Sequence, residues 1–130
     1  MNPSAQTGIL LFAHGSRVEA ANRGVEALAG QVQSAGEFAY VRAAFLEMAQ
    51  PDLPAAIEQA VRAGYQRILV IPYFLTGGVH LRNDLPGLVA REVQKHPGLE
   101  IRIGSSLEGH PLMPSLILDR IRSAAEKLPA

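Results

Sequence analysis

Two histidines in this chain each stand just past an apolar run. Residues 8–13 (Gly-Ile-Leu-Leu-Phe-Ala) end in His14-Gly15-Ser16-Arg17. Residues 68–71 (Ile-Leu-Val-Ile) continue through Pro72-Tyr73-Phe74-Leu75-Thr76-Gly77-Gly78-Val79 to His80. Glu47 closes a third apolar segment, residues 38–46. A buried strand that ends in a flexible loop with an imidazole presents that group at the edge of an α/β sheet. Two neutral imidazoles and a carboxylate suit Co, Ni, Fe or Zn in the +2 state, and suit Mg or Ca poorly. Three protein ligands leave coordination positions open. Gly15, Gly77 and Gly78 would let backbone approach a large flat ligand and let the loop move. Arg17 and Arg82 lie near the two histidines and could each hold a substrate carboxylate.

Each of these residues also has an ordinary reading. A histidine at a strand end can be structural. Glu47 can be a solvated loop carboxylate or a helix-dipole partner. Paired glycines often just turn the chain, and the two arginines can be surface charges. His96, before Pro97-Gly98, reads as exposed and without a role. His110 follows the fourth strand at the same edge and is a candidate substrate contact. Asp84 reads as the cap of the third helix.

The elements that would carry these groups follow from periodicity. The run at 8–13 suits a strand covered on both faces, as in a parallel sheet. Ser16 and Glu19 have capping-box spacing. Behind them Ala21, Val25, Leu28 and Val32 recur at helical spacing up to Gly36. Residues 38–46 form a second strand. Pro51, Asp52 and Pro54 open a second helix with Ile57, Ala60 and Val61 inward and Gly64 at its end. Residues 67–73 form the third and most apolar strand. A third helix has Leu85, Leu88, Val89 and Val93 as its stripe, and Pro97-Gly98 stops it. Residues 99–103 alternate and read as a fourth strand at an edge. Pro111 leads into a last helix with Leu112, Leu116, Ile117, Ile121 and Ala125 inward.

This βαβαβαβα order implies a parallel four-stranded sheet with helices on both faces. With strand order 2-1-3-4, the order reverses between strands one and three, where such sheets bind ligands. His14, Glu47 and His80 would then converge on one edge. Residues 1–7 read as a flexible N-terminus, and residues 8–128 as a single domain.

The totals narrow the function. The 130 residues are enough for one domain with a real core. Lys+Arg and Asp+Glu stand at 12 each, which argues against nucleic acid as a partner. There is no cysteine, so disulfides, thiolate nucleophiles and thiolate metal sites are excluded. No apolar run approaches the roughly 20 residues that span a bilayer, so no membrane partner is expected. Met1 to Thr7 lacks the regions of a signal peptide, and the expected location is cytoplasmic.

The motifs together resemble the CbiX/SirB family of class II tetrapyrrole chelatases. The likeness rests on His14-Gly15-Ser16-Arg17, on Phe45-Leu46-Glu47, on Pro72-Tyr73-Phe74-Leu75 with Gly78-Val79-His80, and on Asp84-Leu85-Pro86. It runs from about Gly8 to Arg122, and the length matches the single-domain form of the family. The resemblance implies a chelatase-like, flavodoxin-related fold and insertion of a divalent metal into sirohydrochlorin. It makes His14 and His80 metal-binding and catalytic, and Glu47 an auxiliary metal ligand. Ser16, Arg17, Tyr73, Gly77, Gly78 and Arg82 are the expected substrate contacts. Phe12, Leu46, Tyr73, Phe74 and Leu75 are candidate apolar walls for the ring, with Phe12 better explained as core. The metal is a substrate, Co²⁺ first with Fe²⁺ or Ni²⁺ as alternatives, and no organic cofactor is expected. Family members of this length form homodimers with their clefts facing.

Two other functions compete. One is a non-catalytic metal or tetrapyrrole carrier built on the same two histidines. The other is a phosphotransfer enzyme, since His-Gly after a first strand superficially resembles histidine phosphatases. Those use an arginine immediately before the histidine, and here that residue is Ala13.

Overall fold

The computed structural model describes residues 6–76 and 79–129, and for residues 79–82 only the backbone. Eight elements alternate as expected. They are β1 (Thr7–Ala13), α1 (Glu19–Ser34), β2 (Tyr40–Phe45), α2 (Leu53–Arg62), β3 (Arg67–Pro72), α3 (Val79–Lys95), β4 (Glu100–Ile103) and α4 (Met113–Ala125). All strand pairs are parallel and the order is β2-β1-β3-β4. The register sets Phe12 beside Ala44 and Pro72, so the central strands end level at their carboxyl edge.

The uninterrupted apolar run of β1 is explained by cover on both faces. Leu10 and Phe12 point to one side, where they meet Ile68 and Val70 of β3, Leu53, Ile57 and Ala60 of α2, and Leu85 and Val89 of α3. Ile9 and Ala13 belong to the other side, with Val41, Ala43, and Val25 and Ala29 of α1. Fully burying a side chain the size of Phe12, Leu10 or Ile57 contributes about 1.5–3 kcal/mol each. Asp52 caps α2 as its position suggested, accepting from the Ala55 N–H at 3.0 Å.

Four local expectations need correction. Ser16 and Glu19 do not form a capping box: Val18 precedes α1 without a side-chain cap, and Ser16 Oγ instead accepts from the Val18 N–H at 3.0 Å. The buried stripe of α1 is Asn22, Val25 and Ala29, whereas Ala21 and Val32 are exposed. α3 begins at Val79 and runs through Pro86, so Asp84 lies inside the helix and cannot cap it. A proline lacks the N–H of the helical ladder, which made the segment before Leu85 read as loop. Last, α4 is not inward. It has no buried residue, and Leu112, Leu116, Ile117 and Ile121 are between 53% and 63% exposed. Among the described residues, one face of the sheet thus carries α2 and α3, and the other carries α1.

Candidate functional site at the carboxyl edge of the sheet

The pairing of β1 with its neighbours does not stop where the strands stop. The Leu46 N–H donates to the Ala13 carbonyl at 2.9 Å, and the Glu47 N–H to the His14 carbonyl at 3.2 Å. On the other side the Tyr73 N–H donates to the Phe12 carbonyl at 2.7 Å. These bonds tie the loops after β1, β2 and β3 together above the sheet. His14 and Glu47 are therefore adjacent along the backbone ladder, although 33 positions apart in the sequence (47 minus 14). Both side chains are exposed.

Gly15 makes this crossing feasible. Its φ is +95°, and a Cβ placed there would sit 1.8 Å from the Glu47 carbonyl oxygen. No other residue could let the two loops pass so closely. Across the crossing, Met48 takes φ 65°, a left-handed conformation uncommon for a residue with a side chain. Such strain persists only where surrounding contacts impose it.

The rest of the β1–α1 loop is held from below. Asn22 in the first turns of α1 is 2% exposed. Its Oδ1 accepts from the Ser16 N–H at 2.9 Å, and its Nδ2 donates to the Ser16 carbonyl at 2.7 Å. One amide thus satisfies both backbone groups of one residue. Sequence reasoning missed Asn22 because a polar residue on a helix reads as solvated. The available signal was its position one turn into a helix, directly behind the His-Gly-Ser turn.

Among the described residues, His14 has one weak polar neighbour, the Gly15 carbonyl, 3.4 Å from Nδ1. With Nδ1 donating there, Nε2 keeps its lone pair for a metal ion or a proton. Among the described residues, no side chain bonds the carboxylate of Glu47 or the guanidinium of Arg17. No group of three His, Asp or Glu side chains gathers among the described residues in a way that could hold a metal. His14 and Glu47 are joined through their backbones. His80 lies in the first turn of α3, the helix that follows β3, and its side chain falls outside the described residues, as does that of Arg82. Gly77 and Gly78 lie wholly outside them.

The aromatic candidates separate cleanly. Phe12 is fully buried and meets Phe74 edge to face at 5.9 Å between ring centres, so its role is core packing. Leu46 and Phe74 are half-buried against the same core. Tyr73 and Leu75 stand 37% and 63% exposed and are the apolar groups free to meet a ligand. His110 is exposed, and its Nδ1 accepts from the Leu112 N–H at 3.0 Å, which gives it a local turn-forming task. His96 is half-buried at the end of α3, not exposed as its turn context suggested.

A parallel sheet with helices on both faces, and an imidazole and a carboxylate after adjacent strands next to the point where strand order reverses, defines a small α/β protein with a candidate site at its carboxyl edge. The chain belongs to the CbiX family, whose model matches residues 8–124. It is 34% identical over 84 residues to a sirohydrochlorin cobaltochelatase of Methanopyrus kandleri, covering 65% of this chain and 59% of that protein. It is 30% identical over 115 residues to the chloroplastic sirohydrochlorin ferrochelatase of Arabidopsis thaliana, covering 88% of this chain and 51% of the relative. The chain thus spans little more than half the length of these two proteins. Its fold superposes with a TM-score of 0.82 on a CbiX protein of Marinobacter aquaeolei, at 30% identity, covering 94% and 99% of the two chains. SirB of Bacillus subtilis, solved with cobalt, shares the fold at a TM-score of 0.83, 24% identity, and coverage of 91% of this chain and 50% of that one. No helix among the described residues is long and apolar enough to cross a membrane.

Proposed function

We propose that this chain is a sirohydrochlorin metal chelatase, with a divalent metal ion and the tetrapyrrole as its two substrates. The observation that carries the reading is the locked adjacency of His14 and Glu47, both exposed beyond the sheet edge and tied through their backbones. The names of the relatives support the same reaction class.

Metal insertion requires the ring to lose two pyrrole protons while the ion is handed to four ring nitrogens. A neutral imidazole keeps a lone pair on one ring nitrogen, so His14 can accept a proton or hold the ion. His80 is the second imidazole of the proposal, and Glu47 adds negative charge that draws the cation in. Ligands that are deprotonated at neutral pH can bind the ion and then release it to a better chelator. Tyr73 and Leu75 supply an apolar wall for the flat ring. Ser16, Arg17 and Arg82 meet the ring's carboxylates, and Gly77 and Gly78 are the remaining substrate contacts of the proposal. Cobalt is the first choice of metal, with iron and nickel as the alternatives. The working form is a cytoplasmic homodimer.

The test is an anaerobic absorbance time course of sirohydrochlorin with Co²⁺, Fe²⁺ or Ni²⁺. It compares no protein, the parent chain, and a His14→Ala/His80→Ala double variant. Rapid conversion with the parent alone is expected. Equal rates in all three samples, with metal still bound by the parent, would make the protein a carrier.

A further inference from the structure

Two exposed imidazoles stand beyond the carboxyl ends of the strands, and they present opposite atoms. His14 turns Nδ1 toward the Gly15 carbonyl at 3.4 Å, which leaves the lone pair of Nε2 outward. His110, after β4, does the reverse. The Leu112 N–H donates to its Nδ1 at 3.0 Å. A ring nitrogen that accepts a hydrogen bond carries no hydrogen, so in the neutral ring the hydrogen is assigned to Nε2. His110 therefore offers an N–H donor where His14 offers a lone pair. Such a donor suits a carboxylate oxygen and not a metal ion.

His110 is pinned by its backbone as well as its ring. Its N–H donates to the Leu107 carbonyl at 3.1 Å, closing a turn in which Gly109 takes φ +73°. Its carbonyl accepts from the Met113 N–H at 2.9 Å as α4 begins. Among the described residues, Nε2 is the one polar atom of His110 without a bond. An exposed side chain held this closely is ordered before any ligand arrives, which favours affinity.

The turn rests against the candidate site. The Gly104 N–H donates to the Val70 carbonyl at 2.8 Å, which extends the β3–β4 ladder past the end of β4. The Leu107 N–H then donates to the Phe74 carbonyl at 3.2 Å. Phe74 lies between Tyr73 and Leu75, the exposed apolar groups of the site. The same loop is bonded to β1 through the Tyr73 N–H and the Phe12 carbonyl. With strands about 4.8 Å apart, β4 lies about 10 Å from β1. A flat ring that starts at His14 and lies over Tyr73 and Leu75 brings its rim, where its carboxylates are, to the His110 turn.

We propose that the Nε2–H of His110 binds one peripheral carboxylate of the tetrapyrrole and thereby sets how the ring is turned over His14. This rests on the ring-binding reading of the proposed function and adds a residue to it. A hydrogen bond to an ionised carboxylate is stronger than one between neutral groups. The long side chain of Arg17 can follow a carboxylate over a range of positions, whereas the pinned imidazole accepts one.

The test separates the ring donor from the turn. In His110→Asn the side-chain oxygen can accept the Leu112 N–H in an Asx turn, but nothing remains at the place of Nε2. Circular dichroism and Tm check that this variant keeps the parental fold. His110→Ser, whose hydroxyl can accept the same bond, replaces it if it does not. Metal-free sirohydrochlorin and its methyl ester are titrated anaerobically with parent and variant in the same dilute detergent, and ring absorbance reads binding. The variant should bind the free acid about 5- to 30-fold more weakly than the parent, and the ester equally well. Equal affinity of parent and variant for the free acid would mean that His110 only forms the turn, and overturns the proposal. An equal loss for acid and ester would mean that shape and not a carboxylate is read, and also overturns it. A parent chain that binds neither ring sinks this contact together with the ring-binding reading. Because binding is read without metal, a chain that binds the ring but inserts no ion refutes the chelatase reading and still tests this contact.

Discussion

Replacing Gly15 by alanine tests whether the loop crossing positions the site. The new β-carbon would start 1.8 Å from the Glu47 carbonyl oxygen, so the loops must part by more than an ångström to reach even 3.0 Å. The left-handed φ of +95° adds strain of about 1–2 kcal/mol for a residue with a side chain. Losing the Glu47 N–H to His14 bond adds about 1 kcal/mol. The expected destabilisation is about 2–4 kcal/mol, or roughly 8–15 °C in Tm for a domain of this size. A displacement of about 1 Å at the reacting groups also costs on the order of 100-fold in rate. Gly36→Ala is the control, because Gly36 has φ +90° with open space around it. That variant should show the strain alone and keep its insertion rate. Thermal unfolding by circular dichroism and the anaerobic insertion assay read the two effects separately. If Gly15→Ala loses no more stability and no more rate than Gly36→Ala, the crossing does not position the site.

Asn22→Asp changes one group in the bonded pair below the loop. The bond from the Ser16 N–H survives, but a carboxylate oxygen now faces the Ser16 carbonyl 2.7 Å away. Only the protonated acid can donate there, so the folded state raises this carboxyl above its ordinary value near 3.9. The variant should come closest to parental stability below that ordinary value. It should lose about 1–3 kcal/mol as pH rises through the raised folded value. A deficit in Tm that does not vary with pH would refute this. Asp52→Ala removes the cap of α2 at the far side of the Glu47 loop and should cost about 1 kcal/mol. Urea titration with an unchanged m-value is the check.

Much of the fold was legible because its signals are local or pairwise in the chain. Short apolar runs separated by amphipathic stripes set the alternation of elements, and alternation with short links leaves few topologies open. Asp52 announced a helix start by side-chain chemistry alone. The failures have a common cause. Asn22, the capping of α1 and the role of His110 depend on which backbone groups lie nearby in space. Burial of Asn22 reflects its fit to Ser16 and not its polarity. The start of α3 was obscured because Pro86 breaks the helical ladder locally while packing of Leu85 and Val89 holds the helix together.

The sequence by itself determined the parallel α/β class, the strand ends that carry His14 and Glu47, and the exclusion of thiolate chemistry. Those properties follow from residue types and periodicity. Only the tertiary structure decided that the His14 and Glu47 loops are bonded to each other, and that Gly15 must be glycine for them to cross. It alone revealed that α4 has no buried residue, its apolar side chains lying exposed. Periodicity states that a helix has an apolar side. Which surface covers that side depends on where the preceding loop directs the chain, and that is set by hydrogen bonds between residues distant in sequence.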